Sequence, residues 1–186
     1  MSSTLFVNNL TTASGSDITV GAGKNLKMGT GTFFPSSGQI IQVQKSTIRT
    51  GASTFSTATL AEVSTNYRVS ITPKIATSYI HCTFSYHAIF DDAVQMGVAI
   101  YVSTDGGSSF ASAMDGGGQN PTIGESHRNN TGGRVSTRSH TATFYDIYTT
   151  TDQLIFTIYA NRQSGSAIAR INDNGGGSFL TCMEIM

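Results

Sequence analysis

The sequence predicts an all-β protein: an antiparallel β-sandwich head of jelly-roll type, preceded by a short N-terminal β-stem or docking arm. Roughly eight to ten short segments alternate apolar and polar residues with the period of two that marks a strand with one buried face, and no stretch shows helical periodicity. Links rich in Gly, Ser, Asn and Asp join these segments, and strands joined by short turns are antiparallel because a parallel pair needs a long crossover. The uneven loop lengths favour a jelly roll over a closed barrel.

Residues 1–36 differ from the rest of the chain and form the predicted stem or arm. Short apolar pairs are separated by Gly- and Ser-rich links, and none of them has enough apolar surface to close a core within one chain. The pairs are Leu5 with Val7, Ile18 with Val20, and Leu26 with Met28. Such short strands are typical of a stem wound from several chains or of an arm laid on a neighbouring protein, and a disordered arm is the alternative. The PSSG sequence at residues 35–38 breaks the pattern, and residues 37–186 form the predicted head.

The first half of the head contains the strongest strand signals. Residues 40–48 have two mixed faces, which suits an edge strand or an interface strand. Residues 60–63 and 67–72 predict two further strands, and Pro73 ends the second because proline cannot donate to a central ladder. Residues 76–104 alternate most regularly, in two arms with a short link, and we predict that they form an antiparallel hairpin at the centre of the sheet.

The second half of the head continues with short strands. A DGG turn leads to a predicted return strand at residues 110–114. Residues 134–148 predict a long strand or a broken pair, and residues 153–161 predict a strand covered on both faces. The chain ends in a predicted hairpin, in which residues 167–171 pair with residues 179–185 across a Gly-rich turn.

Two sets of residues are candidates for contacts with other molecules. Residues 115–133 form the longest segment without a strand pattern, and a loop of this length in a compact domain is functional, mobile or covered by a neighbour. Its candidate exposed contact residues are His127, Arg128, Asn129 and Asn130. The outer face of the predicted central hairpin carries a candidate trimer interface, because aromatic and imidazole side chains in this number are unusual on a solvated face. These residues are Tyr79, His81, His87 and Tyr101.

Length and charge limit the classes of function. A chain of 186 residues suffices for one substantial core and is too short for two ordinary domains. Binding to nucleic acid or to an acidic membrane needs clustered basic residues, which a chain with 11 Lys and Arg against 11 Asp and Glu does not present. No apolar run reaches the ~20 residues of a membrane span or resembles a signal peptide, so we expect a soluble protein without membrane insertion and not exported by that route. The low charge fits a protein that associates with itself.

No pattern in the chain predicts catalysis, a cofactor or a metal site. The four histidines have no Cys or carboxylate at ligand spacing, and the adjacent Asp91 and Asp92 diverge on a strand or cap a turn. The serines lack a G-x-S-x-G elbow, and no helix follows the glycine runs to hold a phosphate. Cys82 and Cys182 fall at apolar positions, which favours two buried free thiols over a disulfide, the alternative.

Several sequence segments, spread over nearly the full length of the chain, resemble one class of viral protein. They are VNNLTTASGSDITVGAGKNLKM, SGQIIQVQ, YRVSITPKIATSYI, VSTDGGSSF and GGGSFLTCMEIM. Their layout resembles that of virion surface proteins of marine and cyanobacterial bacteriophages. The resemblance implies an intertwined trimeric stem, a trimeric β-sandwich head, and a location in the virion after assembly in the host cytoplasm.

The same resemblance implies a non-enzymatic homotrimeric surface fibre of receptor-binding type. Its partners would be other virion proteins of the tail or capsid, reached through the N-terminal segment, and a host surface glycan or receptor. The alternative is a capsid decoration, or cement, protein at threefold positions of the shell, which the short stretch before the head favours. A second alternative is a carbohydrate-binding module with Tyr101, Tyr145 and Tyr148 as its aromatic platform. An enzyme such as a depolymerase is the least favoured class.

Overall fold

The protein is an antiparallel β-sandwich throughout the part of the chain that its structure, a computed structural model, describes. These residues are 37–47, 51–91, 94–113, 134–146, 152–165, 168–172 and 177–186. Two antiparallel sheets pack against a shared core, which confirms the fold class predicted from the sequence. The predicted stem, residues 1–36, and the predicted contact residues His127, Arg128, Asn129 and Asn130 lie outside the described residues.

The strands are short except for three long ones in the middle and second half of the chain. In chain order they are β1 (Ile40–Lys45), β2 (Ser53–Phe55), β3 (Ala61–Glu62), β4 (Val69–Ile71), β5 (Tyr79–Asp91), β6 (Gln95–Ser103), β7 (Ala111–Ser112), β8 (Arg134–Asp146), β9 (Leu154–Ser164), β10 (Ala169–Ile171) and β11 (Phe179–Ile185). A 3-10 helix, Thr65–Tyr67, separates β3 from β4, and the Ser64 side chain caps it by accepting a hydrogen bond from the backbone N–H of Asn66. No helix among the described residues is long and apolar enough to cross a membrane.

The six-stranded sheet is built on β5. On one side β8 pairs with it along its whole length, and on the other side β11 pairs with its first part and β10 with its last part. β1 pairs with β11 and β2 pairs with β10, so each extends the sheet by one more strand. The position of β1 at an edge of this sheet confirms the edge strand predicted at residues 40–48.

The five-stranded sheet is built on β9. β6 pairs with one side of β9, and β7 follows β6. On the other side β3 and β4 follow each other along β9, with the 3-10 helix between them. The two strands predicted before Pro73 and the return strand after the DGG turn are therefore confirmed.

The core lies between the inner faces of the two sheets. Phe84 and Tyr86, both on β5, stack with their ring centroids 4.8 Å apart, and Phe84 meets Tyr67 edge to face at 5.1 Å. Phe156 on β9 meets Tyr145 on β8 edge to face at 5.7 Å. Full burial of a large apolar side chain contributes ~1.5–3 kcal/mol relative to exposure. The contacts of Phe84 with Tyr67 and of Phe156 with Tyr145 join elements of the two sheets, so they stabilise the sandwich.

The hairpin predicted at residues 76–104 is wrong. β5 ends in the six-stranded sheet and β6 begins in the five-stranded sheet, so the two arms pair with other strands and their apolar stripes both enter the common core. An alternating sequence shows only that a strand buries one face. A connection from one sheet to the facing sheet buries both stripes as well as a hairpin would, so the pattern does not distinguish the two.

The predicted terminal hairpin is also wrong, because β10 and β11 do not pair with each other. Both run antiparallel to β5, β10 opposite residues 88–90 and β11 opposite residues 79–85. β10 and β11 therefore lie end to end along the same side of β5. Asn172, the residue after β10, has a φ of 65°, a left-handed conformation that Asn tolerates better than most residues. A Gly-rich interruption predicts that a strand stops, but it does not show whether the chain reverses or resumes its direction.

Candidate functional site

The sandwich places the four predicted interface residues on two different surfaces. Tyr79, His81 and His87 alternate with buried residues along β5, so these three half-buried side chains lie on the outer face of the six-stranded sheet. Tyr101 lies on β6, on the outer face of the five-stranded sheet. The structure places the first three along one face of the same strand and places Tyr101 on the other sheet. Contact of these residues with another subunit stays a prediction.

The outer face of the six-stranded sheet is apolar over one part of β1 and β11, and Lys45 opposite Thr181 ends the apolar part. Val43 lies opposite Met183, Ile40 lies opposite Ile185, and Met183 in turn lies opposite His81. Residues directly opposite each other share a face of the sheet, so these side chains form one surface. Among the described residues Ile40 and Val43 stand out as exposed large hydrophobic side chains, 57% and 52% exposed. We call Ile40, Val43, Met183 and Ile185 the apolar face.

The outer face of the five-stranded sheet carries three clustered aromatic rings. Tyr101 on β6 and Tyr159 on β9 stack, with centroids 4.1 Å apart and planes inclined by 22°. The register explains this contact, because Tyr101 lies opposite Thr157 and Tyr159 lies opposite Ala99, which makes the two tyrosines diagonal neighbours on one face. The ring of Phe110, just before β7, lies 6.2 Å from that of Tyr159. All three aromatic side chains are only half-buried.

An ion pair borders these rings. Nε and Nη2 of Arg68 donate to the two carboxylate oxygens of Glu62, each at 2.8 Å, and Thr157 Oγ1 donates to the same carboxylate at 2.7 Å. The Arg68 guanidinium also lies over the Phe110 ring, 4.8 Å from its centroid, where the ring attracts the cation. Both charged groups are therefore fixed beside the aromatic cluster. We call Glu62, Arg68, Tyr101, Phe110 and Tyr159 the aromatic face.

The turn between β6 and β7 positions Phe110 and makes room for Arg68. Asp105 accepts hydrogen bonds from Ser103 Oγ at 2.6 Å and from the Ser109 hydroxyl at 2.5 Å, and these bonds hold the pKa of its carboxyl well below the usual value. Gly107 has a φ of 90°, and a side chain at this position would approach Arg68 Nη1 to 3.3 Å. Glycine therefore permits both the turn and the close position of the guanidinium.

The aromatic face is electrically balanced. Hydrogen bonds from Arg68 lower the pKa of Glu62, and the bonds to Glu62 raise the pKa of Arg68, so both groups are charged at neutral pH. Partial burial raises the pKa of Tyr101 and of Tyr159, so both phenols keep their protons. The surface thus offers half-buried aromatic rings, neutral hydroxyls and a compensated ion pair.

The aromatic platform predicted from the sequence is not assembled as predicted. Tyr145 packs against the core, and Tyr148 lies outside the described residues. Tyr159 and Phe110 accompany Tyr101 instead. Tyr159 alternates with the buried core residues of β9, and this alternation in the sequence indicates that it lies on the outer face of the sheet. Its contact with Tyr101 depends on the pairing of β6 with β9, which the alternating pattern does not predict.

The possible metal ligands and the two cysteines are the other candidates for chemistry in the described part of the chain. No three His, Cys, Asp or Glu side chains among these residues are gathered as metal ligands. Cys82 and Cys182 lie directly opposite each other on β5 and β11, as two buried free thiols whose sulfur atoms are 3.2 Å apart. Burial raises the pKa of the Cys82 thiol well above its usual value, which keeps it protonated.

Comparison with known proteins assigns no family. No family model matches the chain, and no curated protein matches it. Similar solved structures include a chain of infectious bursal disease virus Gx strain, with 9% identity, a TM-score of 0.34, and coverage of 81% of this chain and 38% of that chain. Another is the CBM22-1 xylan-binding domain from Paenibacillus barcinonensis Xyn10C, with 10% identity, a TM-score of 0.29, and coverage of 82% of this chain and 98% of that chain. Our chain thus spans well under half of the viral chain, and at these scores neither similarity bears on function.

Proposed function

We propose that this chain is a non-enzymatic structural protein of a bacteriophage virion, a homotrimeric surface fibre of receptor-binding type attached through its N-terminal segment. The sequence resemblance supports the virion location, and the lack of a catalytic motif in the sequence supports a non-enzymatic role. The observation that carries the proposal of self-assembly is the exposure of Ile40 and Val43, 57% and 52%, on the apolar face.

Association of copies through the apolar face would remove this surface from water. Complete burial of a Val or Ile side chain contributes ~1.5–3 kcal/mol, and about half of that remains to be gained at each of these two residues because each is about half exposed. Met183 and His81 continue the surface toward Tyr79, and interfaces are enriched in Met and aromatic residues. With a formal net charge of zero, repulsion between copies is weak.

The mass of the purified full chain tests the assembly. Light scattering coupled to gel filtration should give three times the chain mass of 19.6 kDa. Val43→Glu should shift the mass toward the monomer, because an interface that buries Val43 would have to bury an unpaired carboxylate. Gln44→Glu adds the same charge to the next residue of β1, which is exposed and lies opposite Cys182, and should leave the trimer intact. A monomeric wild type would overturn the proposed trimer, and a trimeric Val43→Glu variant would exclude the apolar face as its contact.

The position of the chain in the virion distinguishes the fibre from the capsid decoration protein, which is the alternative. Antibody labelling of purified particles should mark the tail or fibre tips if the chain is a fibre. Label spread over the shell would contradict the fibre and would support a capsid decoration protein at threefold positions. Particles that carry no label would overturn both.

A further inference from the structure

We infer that the aromatic face is a carbohydrate-binding site that takes a neutral pyranose ring of a polysaccharide. The inference rests on the proposed function, because a virion protein that meets a host cell needs a receptor site, and it assigns both that site and the chemical class of the receptor. The apolar face and the aromatic face lie on different sheets, so one chain can assemble through the first and bind through the second.

The stacked tyrosines supply a surface for the ring. One face of a pyranose carries several C–H groups, and an aromatic ring is a flat apolar surface with a negative face, so the two pack ring against ring. Tyr101 and Tyr159 hold each other at 4.1 Å, and Phe110 lies against Tyr159 at 6.2 Å. Because these side chains are already fixed, little conformational freedom is lost when a ligand binds.

Donors and acceptors surround this surface. Each phenol can donate and accept a hydrogen bond, which matches the hydroxyls of a sugar. Arg68 uses Nε and Nη2 to bind Glu62, and its Nη1 group, close to Gly107, takes no part in that ion pair. The pairing also fixes the Glu62 carboxylate as an acceptor. An aromatic surface bordered by a few fixed polar groups is the usual composition of a binding site for a small ligand.

Charge decides which class of sugar fits. Arg68 and Glu62 compensate each other at 2.8 Å, so the aromatic face has no net charge to offer an anion. A uronic acid or a sulfated sugar would meet the Glu62 carboxylate 2.8 Å from the Arg68 guanidinium, so repulsion from the first would offset attraction to the second. A neutral hexose does not meet this repulsion.

Affinity electrophoresis of the full chain tests the site. The probes are three neutral polysaccharides, mannan, dextran and a β-glucan, and one acidic polysaccharide, alginate. At least one neutral probe should retard the wild-type chain, and Tyr101→Ala should weaken that binding by about tenfold, as loss of an interface aromatic anchor does. His140→Ala is the surface control, because His140 is exposed on β8 in the other sheet. Tyr159→Phe keeps the stacked ring and should bind more tightly than Tyr159→Ala.

Each outcome bears on the inference. Retardation by a neutral probe that His140→Ala keeps and Tyr101→Ala loses supports it. Retardation by alginate alone overturns the neutral class, and the absence of any Tyr101-dependent retardation overturns the site. Light scattering on the same samples separates the two proposals: a trimer without sugar binding leaves the proposed assembly and removes this site, whereas a monomer that binds sugar does the reverse. A Tyr101→Ala chain that falls from trimer to monomer would make the aromatic face a subunit contact instead.

Discussion

Glu184 is a fully buried carboxylate whose partners are all neutral donors. Its oxygens accept hydrogen bonds from Ser78 Oγ at 2.8 Å, from Gln42 Nε2 at 2.7 Å and from the backbone N–H groups of Lys74 and Ile75 at 2.8 and 3.0 Å. Lys74, Ile75 and Ser78 belong to the link between β4 and β5, where the chain passes from one sheet to the other. One side chain of β11 thus fixes the crossover and satisfies its backbone.

Substitution of Glu184 by Gln should destabilise the fold by about 2–3 kcal/mol. The amide nitrogen of Gln would face backbone N–H donors, and a buried donor without an acceptor costs ~1–3 kcal/mol in addition to the hydrogen bonds that are lost. Urea unfolding measures the change in the free energy of unfolding. Glu62→Gln is the matched control: its carboxylate is 18% exposed and ion-paired with Arg68, so the same substitution should cost less than ~1 kcal/mol. Equal losses in the two variants would contradict the structural role of Glu184.

At the scale of elements, β5 and β11 carry two facing cysteines that can form a disulfide bond. Cys82 and Cys182 face each other with their sulfur atoms 3.2 Å apart, which is about 1.2 Å longer than a disulfide bond. Directly opposite residues of antiparallel strands have Cα separations within the range that a disulfide spans. The pair is thus close enough to be oxidised, although burial of both thiols slows any reaction in the folded state.

Refolding with oxidised glutathione should convert the two thiols to a disulfide while glutathione is reduced. The product should be lighter by the mass of two hydrogens, should contain no reactive thiol after denaturation, and should melt at a higher temperature than the reduced protein. The cysteines are 100 residues apart, and on the loop-entropy model such a link stabilises by up to about 4.7 kcal/mol. Cys182→Ser should show no glutathione-dependent change in melting. Chains that are linked to each other rather than internally would contradict the geometry.

The elements also show what a sequence alone can and cannot predict. The strand positions other than that of β2, the end of β4 before Pro73 and the turn before β7 follow from local chemistry, because each depends on neighbouring residues. β2 was missed because residues 51–57 are rich in Ser, Thr and Gly, which is typical of a loop. The pairing of β6 with β9 and of β10 with β5 depends on residues far apart in the chain. The same alternation fits a hairpin within one sheet and a crossover between two sheets.

The residues of the candidate sites were likewise predictable where they depend on neighbouring residues and not where they depend on strand pairing. Tyr101 was recognisable as an aromatic residue on an outer face, because its own strand fixes which side chains point inward. Its companions were not, because Tyr159 reaches it through the β6–β9 register and Arg68 reaches Phe110 through the close approach of two turns. The exposure of Val43 agrees with the edge strand predicted at residues 40–48, whereas its neighbour Met183 depends on the pairing of β1 with β11.

At the scale of the whole molecule, a buried polar cluster joins the two sheets. Tyr67 lies in the 3-10 helix between β3 and β4, two strands of the five-stranded sheet. Asn172 and Ser178 flank the interruption between β10 and β11 in the six-stranded sheet. Asn172 Nδ2 donates to the Tyr67 hydroxyl at 2.7 Å and to Ser178 Oγ at 2.5 Å, and the hydroxyls of Tyr67 and Ser178 also bond to each other. All three residues are almost inaccessible to solvent. This cluster therefore couples the sheets at a point where β10 and β11 are discontinuous.

Tyr67→Phe should lower the free energy of unfolding by about 1–3 kcal/mol, because buried Asn172 and Ser178 lose their hydrogen bonds to the Tyr67 hydroxyl. Since the cluster joins the sheets, the loss should appear equally in both, as faster hydrogen exchange of β5 and β9 amides and as a single urea transition with a lower midpoint. Tyr159→Phe removes the same hydroxyl from the half-buried aromatic face and should change stability by no more than ~0.5 kcal/mol. If Tyr67→Phe were as stable as Tyr159→Phe, or if β5 and β9 lost protection to different extents, the sheets would be coupled by the apolar core and not by this cluster.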